Sequence, residues 1–128
     1  MEIEAKIVNL NQKSGGVPIS ALCATHEDEY RKPSPKMWHV LEERFRAEGV
    51  LAPNGVLDLQ NSFYCGDAAG RQIGTLAGRK KDFSCGDRKF AYNLNLKFYT
   101  PEEFYRGEKP AAFGWNGMSP GTRRDGTC

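Results

Sequence analysis

No apolar run in the 128 residues approaches the roughly 20 residues that a membrane-spanning helix needs. Neither sign of charge dominates, because 18 Lys and Arg face 16 Asp and Glu for a net charge of +2. Any contact with nucleic acid must therefore rest on local clustering rather than on an overall field. Met1 is followed by Glu2, Glu4 and Lys6, with none of the apolar centre of a signal peptide. The four cysteines, Cys23, Cys65, Cys85 and Cys128, include no C-x-x-C pair, which is poor spacing for zinc and sparse for a disulfide scaffold. Cys23 and Cys65 sit in apolar runs and are expected to be buried, reduced thiols. The G-x-x-x-x-G-K-[ST] phosphate loop is also absent. What is present, 39% apolar and 27% charged residues, is ordinary for a soluble globular domain. These features predict a soluble intracellular protein.

Along the chain, Ile3, Ile7, Val8 and Leu10 share one side of a helical wheel over residues 1–13. Ser14-Gly15-Gly16 stops that helix, with Pro18 beyond. Residues 17–25 (VPISALCAT) are apolar and β-branched, the length of a buried strand. A second helix begins near Ser34-Pro35, since Pro suits the first turn, and carries Met37, Trp38, Leu41 and Phe45 until Gly49. Ser62 to Cys65 reads as a strand closing at Gly66-Asp67, Asp87 to Asn93 as a short helix, and Leu94 to Tyr99 as a last strand. Thr100-Pro101-Glu102-Glu103 is a helix start, with Thr100 capping and Pro101 in the first position. From Arg106 onward Gly, Pro and basic residues dominate, predicting a linker or disordered tail over 106–128. The alternation of helix and strand predicts an α/β fold with parallel strands, whose ligand groups gather at the C-terminal strand ends.

Two clusters fall at that edge. Gly66 lets the backbone turn sharply so that Asp67 projects from the sheet, where it either caps a turn or ligates magnesium beside a phosphate. Arg31-Lys32-Pro33 closes the loop after the other strand, as an exposed basic pair or as a phosphate contact. From Arg71 to Lys89 there are six cations in nineteen residues (Arg71, Arg79, Lys80, Lys81, Arg88 and Lys89), relieved by Asp82 and Asp87. Such a stretch is a solvated loop or a contact for a polynucleotide backbone. Phe83 within it either packs beneath the loop or stacks on a base.

The string FYCGDAAGRQIGTLAGRKKDFSCGDRKFAYNLNLKFYTPEEF, with ALCATHEDEYRKPSPKMW upstream, resembles the phosphatase domain of the polynucleotide kinase 3'-phosphatase family, in the haloacid dehalogenase superfamily. The likeness runs over roughly residues 5 to 105. It implies a partial Rossmann-like haloacid dehalogenase domain in which residues 1–105 form the C-terminal portion. Lys32 stands on the third motif, the lysine that steadies nucleophile and phosphate, and Asp67 on the fourth, an acidic magnesium ligand. Asp87 looks like the second acid of that motif, Asp82 being the other candidate. Arg31, Arg71, Arg79, Lys80, Lys81 and Arg88 would meet the DNA. The implied chemistry is magnesium-dependent hydrolysis through an aspartyl phosphate, acting on 3'-phosphate ends at DNA strand breaks. The implied setting is DNA repair in the nucleus, with repair scaffold proteins as partners.

The first motif, D-x-D-G-T after an apolar strand, is not in this sequence, and neither is the second. Arg124-Asp125-Gly126-Thr127 lacks the leading Asp and the strand, and is taken as chance. A chain without the nucleophile strand is expected to be inactive alone and to leave apolar edges for the missing N-terminal part of the domain to cover. Two other readings are a non-catalytic nucleic-acid or partner-binding remnant and a small-molecule phosphatase of the histidinol-phosphate type. The K-K-D-F-S-C-x-D-R segment argues against the second.

Overall fold

The computed structural model describes residues 2–72 and 80–115. In chain order these form α1 (Glu2–Lys13), α2 (Lys36–Ala47), β1 (Phe63–Cys65), α3 (Gly86–Leu94), β2 (Lys97–Tyr99) and α4 (Pro101–Arg106). β1 and β2 pair in parallel, with Phe63 opposite Lys97, Tyr64 opposite Phe98 and Cys65 opposite Tyr99. Parallel neighbours need a crossover, and α3 provides it. The unit is β-α-β, a mixed helix and strand architecture compatible with an α/β fold.

The core lies between that unit and α2. Phe90, Ala91 and Leu94 of α3 are buried with Leu96, and Trp38, Leu59, Tyr64 and Phe98 pack against them. Burial of a side chain the size of Phe90 or Leu94 contributes about 1.5–3 kcal/mol. Asn95, at a left-handed φ of 58°, ends α3 and turns the chain directly into β2. On α2 the buried Glu42 accepts a hydrogen bond from the Leu57 amide at 3.1 Å, and Arg46 Nε donates to the Gly55 carbonyl at 3.1 Å. These two bonds fold the 49–57 loop back and deliver Leu59 to the core.

The N-terminal third departs from expectation. Residues 17–25 form no strand, and most of them, including Val17 and Cys23, are exposed. A strand exists only by pairing, and no strand among the described residues lies alongside this segment. Its backbone is gripped at one point instead. The Asn11 side chain donates to the Ile19 carbonyl at 2.8 Å and accepts from the Ile19 amide at 2.7 Å. α1 forms where its periodicity places it but buries no residue, leaving Ile3, Val8 and Leu10 exposed. Cys23 and Cys65 are free thiols, the first exposed and the second half-buried, so the expected burial fails for Cys23. Beyond α4, residues 111–115 return to the body, where Phe113 bridges Arg71 antiparallel. Residues 116–128, with Cys128 and the Arg124–Thr127 string, lie outside the described residues. No helix among the described residues is long and apolar enough to cross a membrane.

Candidate functional site

The site is built at the C-terminal end of β1. The Gly66 amide donates to the Tyr99 carbonyl at 3.1 Å, carrying the ladder one residue past Cys65 before the chain turns. A Cβ at position 66 would lie 2.5 Å from Cγ and Oδ2 of Asp87. Only glycine admits the Asp87 carboxyl against the turn, so the pairing of Gly66 with Asp87 is a steric requirement. Asp67 follows. Its side chain is exposed, and none of the hydrogen bonds or ion pairs among the described residues engages its carboxylate.

The turn's next four amides are all satisfied. Ala68 donates to Asp87 Oδ2 at 3.0 Å, Ala69 to the Asp67 carbonyl at 2.9 Å, Gly70 to the Ser84 carbonyl at 3.1 Å, and Arg71 to Asp82 Oδ2 at 3.0 Å. The Ala68 carbonyl in turn accepts the amides of Asp87 and Arg88, which opens α3. Turn and helix start are thus one hydrogen-bonded piece.

Lys32 arrives from the other side. The Lys32-Pro33 peptide is cis, and the Pro33 carbonyl accepts a hydrogen bond from Asn93 Nδ2 at 3.0 Å, so the loop is pinned to α3. The Lys32 ammonium pairs with Asp87 Oδ1 and donates to the Tyr64 hydroxyl at 3.2 Å. That hydroxyl donates to the same Asp87 oxygen at 3.2 Å. Burial would lower the Lys32 pKa, but the Asp87 hydrogen bond and the charges of Tyr64 and Asp87 raise it, keeping the ammonium protonated. Burial, then the Asp87 charge, pushes the Tyr64 phenol upward. Asp87 is buried, and Lys32 keeps nearly half its side chain exposed. The arrangement is a cation fixed at the rim with one face free for an anion. Beside it opens a groove of about 490 Å³ lined by Leu22, Tyr30, Lys32, Met37, Tyr64 and Phe90.

The basic residues divide into two sets. Lys80 and Lys81 are exposed, and Arg31 is exposed while pairing with Glu27 at 2.9 Å. Arg71 is buried. Its guanidinium contacts Asp82 through Nε at 2.7 Å and Nη2 at 3.1 Å, Glu102 at 2.9 Å and the Asp67 carbonyl at 3.1 Å. Arg88 donates to the Ala69 carbonyl at 2.7 Å, with its guanidinium 3.6 Å from the Phe113 ring centre and 4.7 Å from that of Phe98. Both face the turn. Arg79 lies outside the described residues. Phe83 is fully exposed, so of the two expectations for it, packing beneath the loop is not what the structure has. Tyr64 and Asn93 were not singled out from sequence: one reads as a strand aromatic, the other as a helix polar residue, and only three-dimensional pairing reveals them.

Among the described residues no group of three or more His, Cys, Asp or Glu is arranged to hold a metal ion. Asp67 follows Gly66 on the turn, and Asp87 lies at the start of α3 with its carboxyl packed against Gly66. Magnesium takes one or two carboxylates, with water and phosphate completing its shell. Asp67 offers a carboxylate unengaged among the described residues, whereas the Asp87 oxygens already meet Lys32, Tyr64 and the Ala68 amide.

The sequence profile described as polynucleotide kinase 3 phosphatase matches residues 1–105. An uncharacterized 20.8 kDa protein of Autographa californica nuclear polyhedrosis virus is 46% identical over 99 residues, covering 77% of this chain and 48% of that protein. A polynucleotide 3'-phosphatase of Arabidopsis thaliana is 40% identical over 90 residues, covering 70% of this chain and 11% of that protein. One from Saccharomyces cerevisiae is 39% identical over 84 residues, covering 62% and 31%. The chain therefore spans half or less of the length of these relatives.

Proposed function

This chain belongs to the polynucleotide kinase 3 phosphatase family, and on that premise we propose that it supplies the lysine-and-acid half of a polynucleotide 3'-phosphatase site. The observation that carries the reading is that Lys32 pairs with Asp87, 55 positions away, against Gly66 at the strand end that Asp67 follows, all within the family-matched stretch. A 3'-phosphate on a DNA strand would be met by the Lys32 ammonium, held in place by Asp87 and the Tyr64 hydroxyl. Asp67 and Asp87 would hold magnesium, which when bound neutralises charge on the phosphoryl oxygens. The attacking aspartate belongs to D-x-D-G-T, a motif not in this sequence, so the phosphatase site is completed by a segment that carries it. The domain type is then a haloacid dehalogenase-like sheet, with the exposed apolar segment 17–25 and the edge of β1 away from β2, unpaired among the described residues, as the surfaces that such a strand would join. In this reading Lys80, Lys81 and Arg31 meet the phosphate backbone, Phe83 stacks on a base, and Arg71 and Arg88 support the turn. Strand-break repair in the nucleus is the setting that the family implies.

The test is phosphate release from a 3'-phosphorylated nicked DNA with magnesium. The 128-residue chain alone is expected to release none. Addition of a polypeptide bearing D-x-D-G-T from a family relative is expected to give release, lost in Lys32→Ala and Asp67→Asn. Release from the chain alone would overturn the assignment of the nucleophile to another segment. Failure of a folded, assembled pair to release phosphate would overturn the phosphatase reading itself.

A further inference from the structure

Residues 111–115 lie beyond the stretch that the family profile matches, yet they touch the site turn through the backbone and, through Arg88 of α3, by a side chain. The Gly114 amide donates to the Gly70 carbonyl at 2.9 Å. That bond sets Phe113 opposite Arg71 as an antiparallel bridge, and the Phe113 ring covers the Arg88 guanidinium, whose Nε holds the Ala69 carbonyl. Trp115 anchors the segment's far end, edge-on to Tyr92 of α3 at 5.3 Å and to Phe113 at 5.5 Å. The approach is so close that a Cβ on Gly70, whose φ is +69°, would collide with the Gly114 carbonyl oxygen. Position 70 therefore excludes a side chain on two grounds, backbone conformation and the docked segment.

We infer that residues 111–115 are a clip that positions the Asp67 turn, with Phe113 acting through Arg88 and Gly114 acting directly on Gly70. The argument is one of constraint. The turn's own amides are taken by Asp87, the Asp67 carbonyl, Ser84 and Asp82, and its Ala69 and Gly70 carbonyls are the points where other segments attach. Arg88 takes the first, and the second accepts from the Gly114 amide and from Gln72 Nε2 at 3.0 Å. With both held, the backbone that follows Asp67 is tied to α3 and to the docked segment, which limits how far the turn that carries Asp67 can swing. Pre-set geometry of this kind is what a site for phosphate chemistry draws on. The clip deepens the phosphatase reading, since it matters to function only if Asp67 is a site residue. Its own test needs neither metal nor substrate, so the two can fail separately.

Amide hydrogen exchange on the full 128-residue chain is the measurement. Phe113→Ala removes the ring from Arg88 and should speed exchange at Ala69, Gly70 and Arg71 about tenfold, the scale of a partly desolvated cation–π contact. Exchange in α2, which the clip does not touch, should keep its wild-type rate. Phe113→Tyr keeps an aromatic face and should restore protection. Gly114→Pro removes the donor to Gly70 and should reproduce the effect at Gly70 and Arg71 with the ring intact. Wild-type protection of the turn in both Phe113→Ala and Gly114→Pro would overturn the clip. So would a uniform rise across α2 and α3, which would mark the segment as a contributor to global stability alone.

Discussion

A buried guanidinium is tolerable only while its partners stay charged, and Arg71 has two, Asp82 and Glu102. Burial would raise the Asp82 carboxyl, but the hydrogen bonds from Arg71, backed by its charge, hold it below the usual carboxylate range. A carboxyl whose folded value is depressed adds stability above its unfolded value, near 4, and loses it as pH falls through the folded value. The folded chain should therefore weaken as pH drops below about 4, in part through this pair. Arg71→Met should cost about 3 kcal/mol at pH 7, because it strands the partly buried carboxylates of Asp82 and Glu102, and should flatten the acid limb. Urea unfolding at pH 7 and again near pH 3 checks both, and an unchanged acid limb in the variant would refute the role of Asp82. In sequence, Arg71 stands among six cations and reads like the rest of the patch. Which cations turn inward is decided by acids brought close in space, and Glu102 lies 31 positions away. The Lys32–Asp87 pair, 55 positions apart, is invisible to periodicity for the same reason.

Elements were legible where the signal was local. Thr100 caps α4 with a reciprocal box: the Glu103 amide donates to its hydroxyl at 3.2 Å, and the Thr100 amide donates to Glu103 Oε2 at 3.0 Å. Pro101 sits in the first turn as its chemistry favours. The cap has a use beyond α4, because that helix carries Glu102 to Arg71 and Phe104 onto Phe63 of β1, 4.9 Å apart between ring centres. Thr100→Ala should lower stability by about 1 kcal/mol, read as a shift in the unfolding midpoint, while Thr100→Ser should retain most of it. Equal losses in both would mean that the hydroxyl is not what stabilises the helix start. Residues 17–25 show the opposite case. Their composition is that of a strand, but a strand needs a neighbour, and local sequence does not say whether one is beside it. The bond of Asn11 to Ile19 is likewise set by a helix-to-loop approach that no pattern encodes.

At the scale of the whole molecule, a net charge of +2 gives no long-range pull on a polynucleotide, so the proposed contact rests on a local cluster. The exposed run Lys80-Lys81 and the outward Phe83 are where the proposed polynucleotide contact would fall, and the structure shows why Phe83 points out. Asp82 is drawn inward by Arg71, and the Ser84 carbonyl is taken by the Gly70 amide. The residue between two inward anchors has nowhere to turn but solvent. Electrostatic and stacking contributions then separate by their response to salt, since only the first releases counterions. Binding of this chain to single-stranded oligonucleotide, followed by fluorescence anisotropy across a salt series, should give a log–log slope that falls by about 0.7 for each lysine replaced in Lys80→Ala and Lys81→Ala. Phe83→Ala should weaken binding by about 1–3 kcal/mol at every salt concentration with the slope unchanged. A slope change in Phe83→Ala would mean that the ring acts by placing the lysines rather than by stacking. No loss of affinity in any of the three variants would move the polynucleotide contact elsewhere on the chain, and would leave the exposure of Phe83 to be explained by a protein surface that covers it.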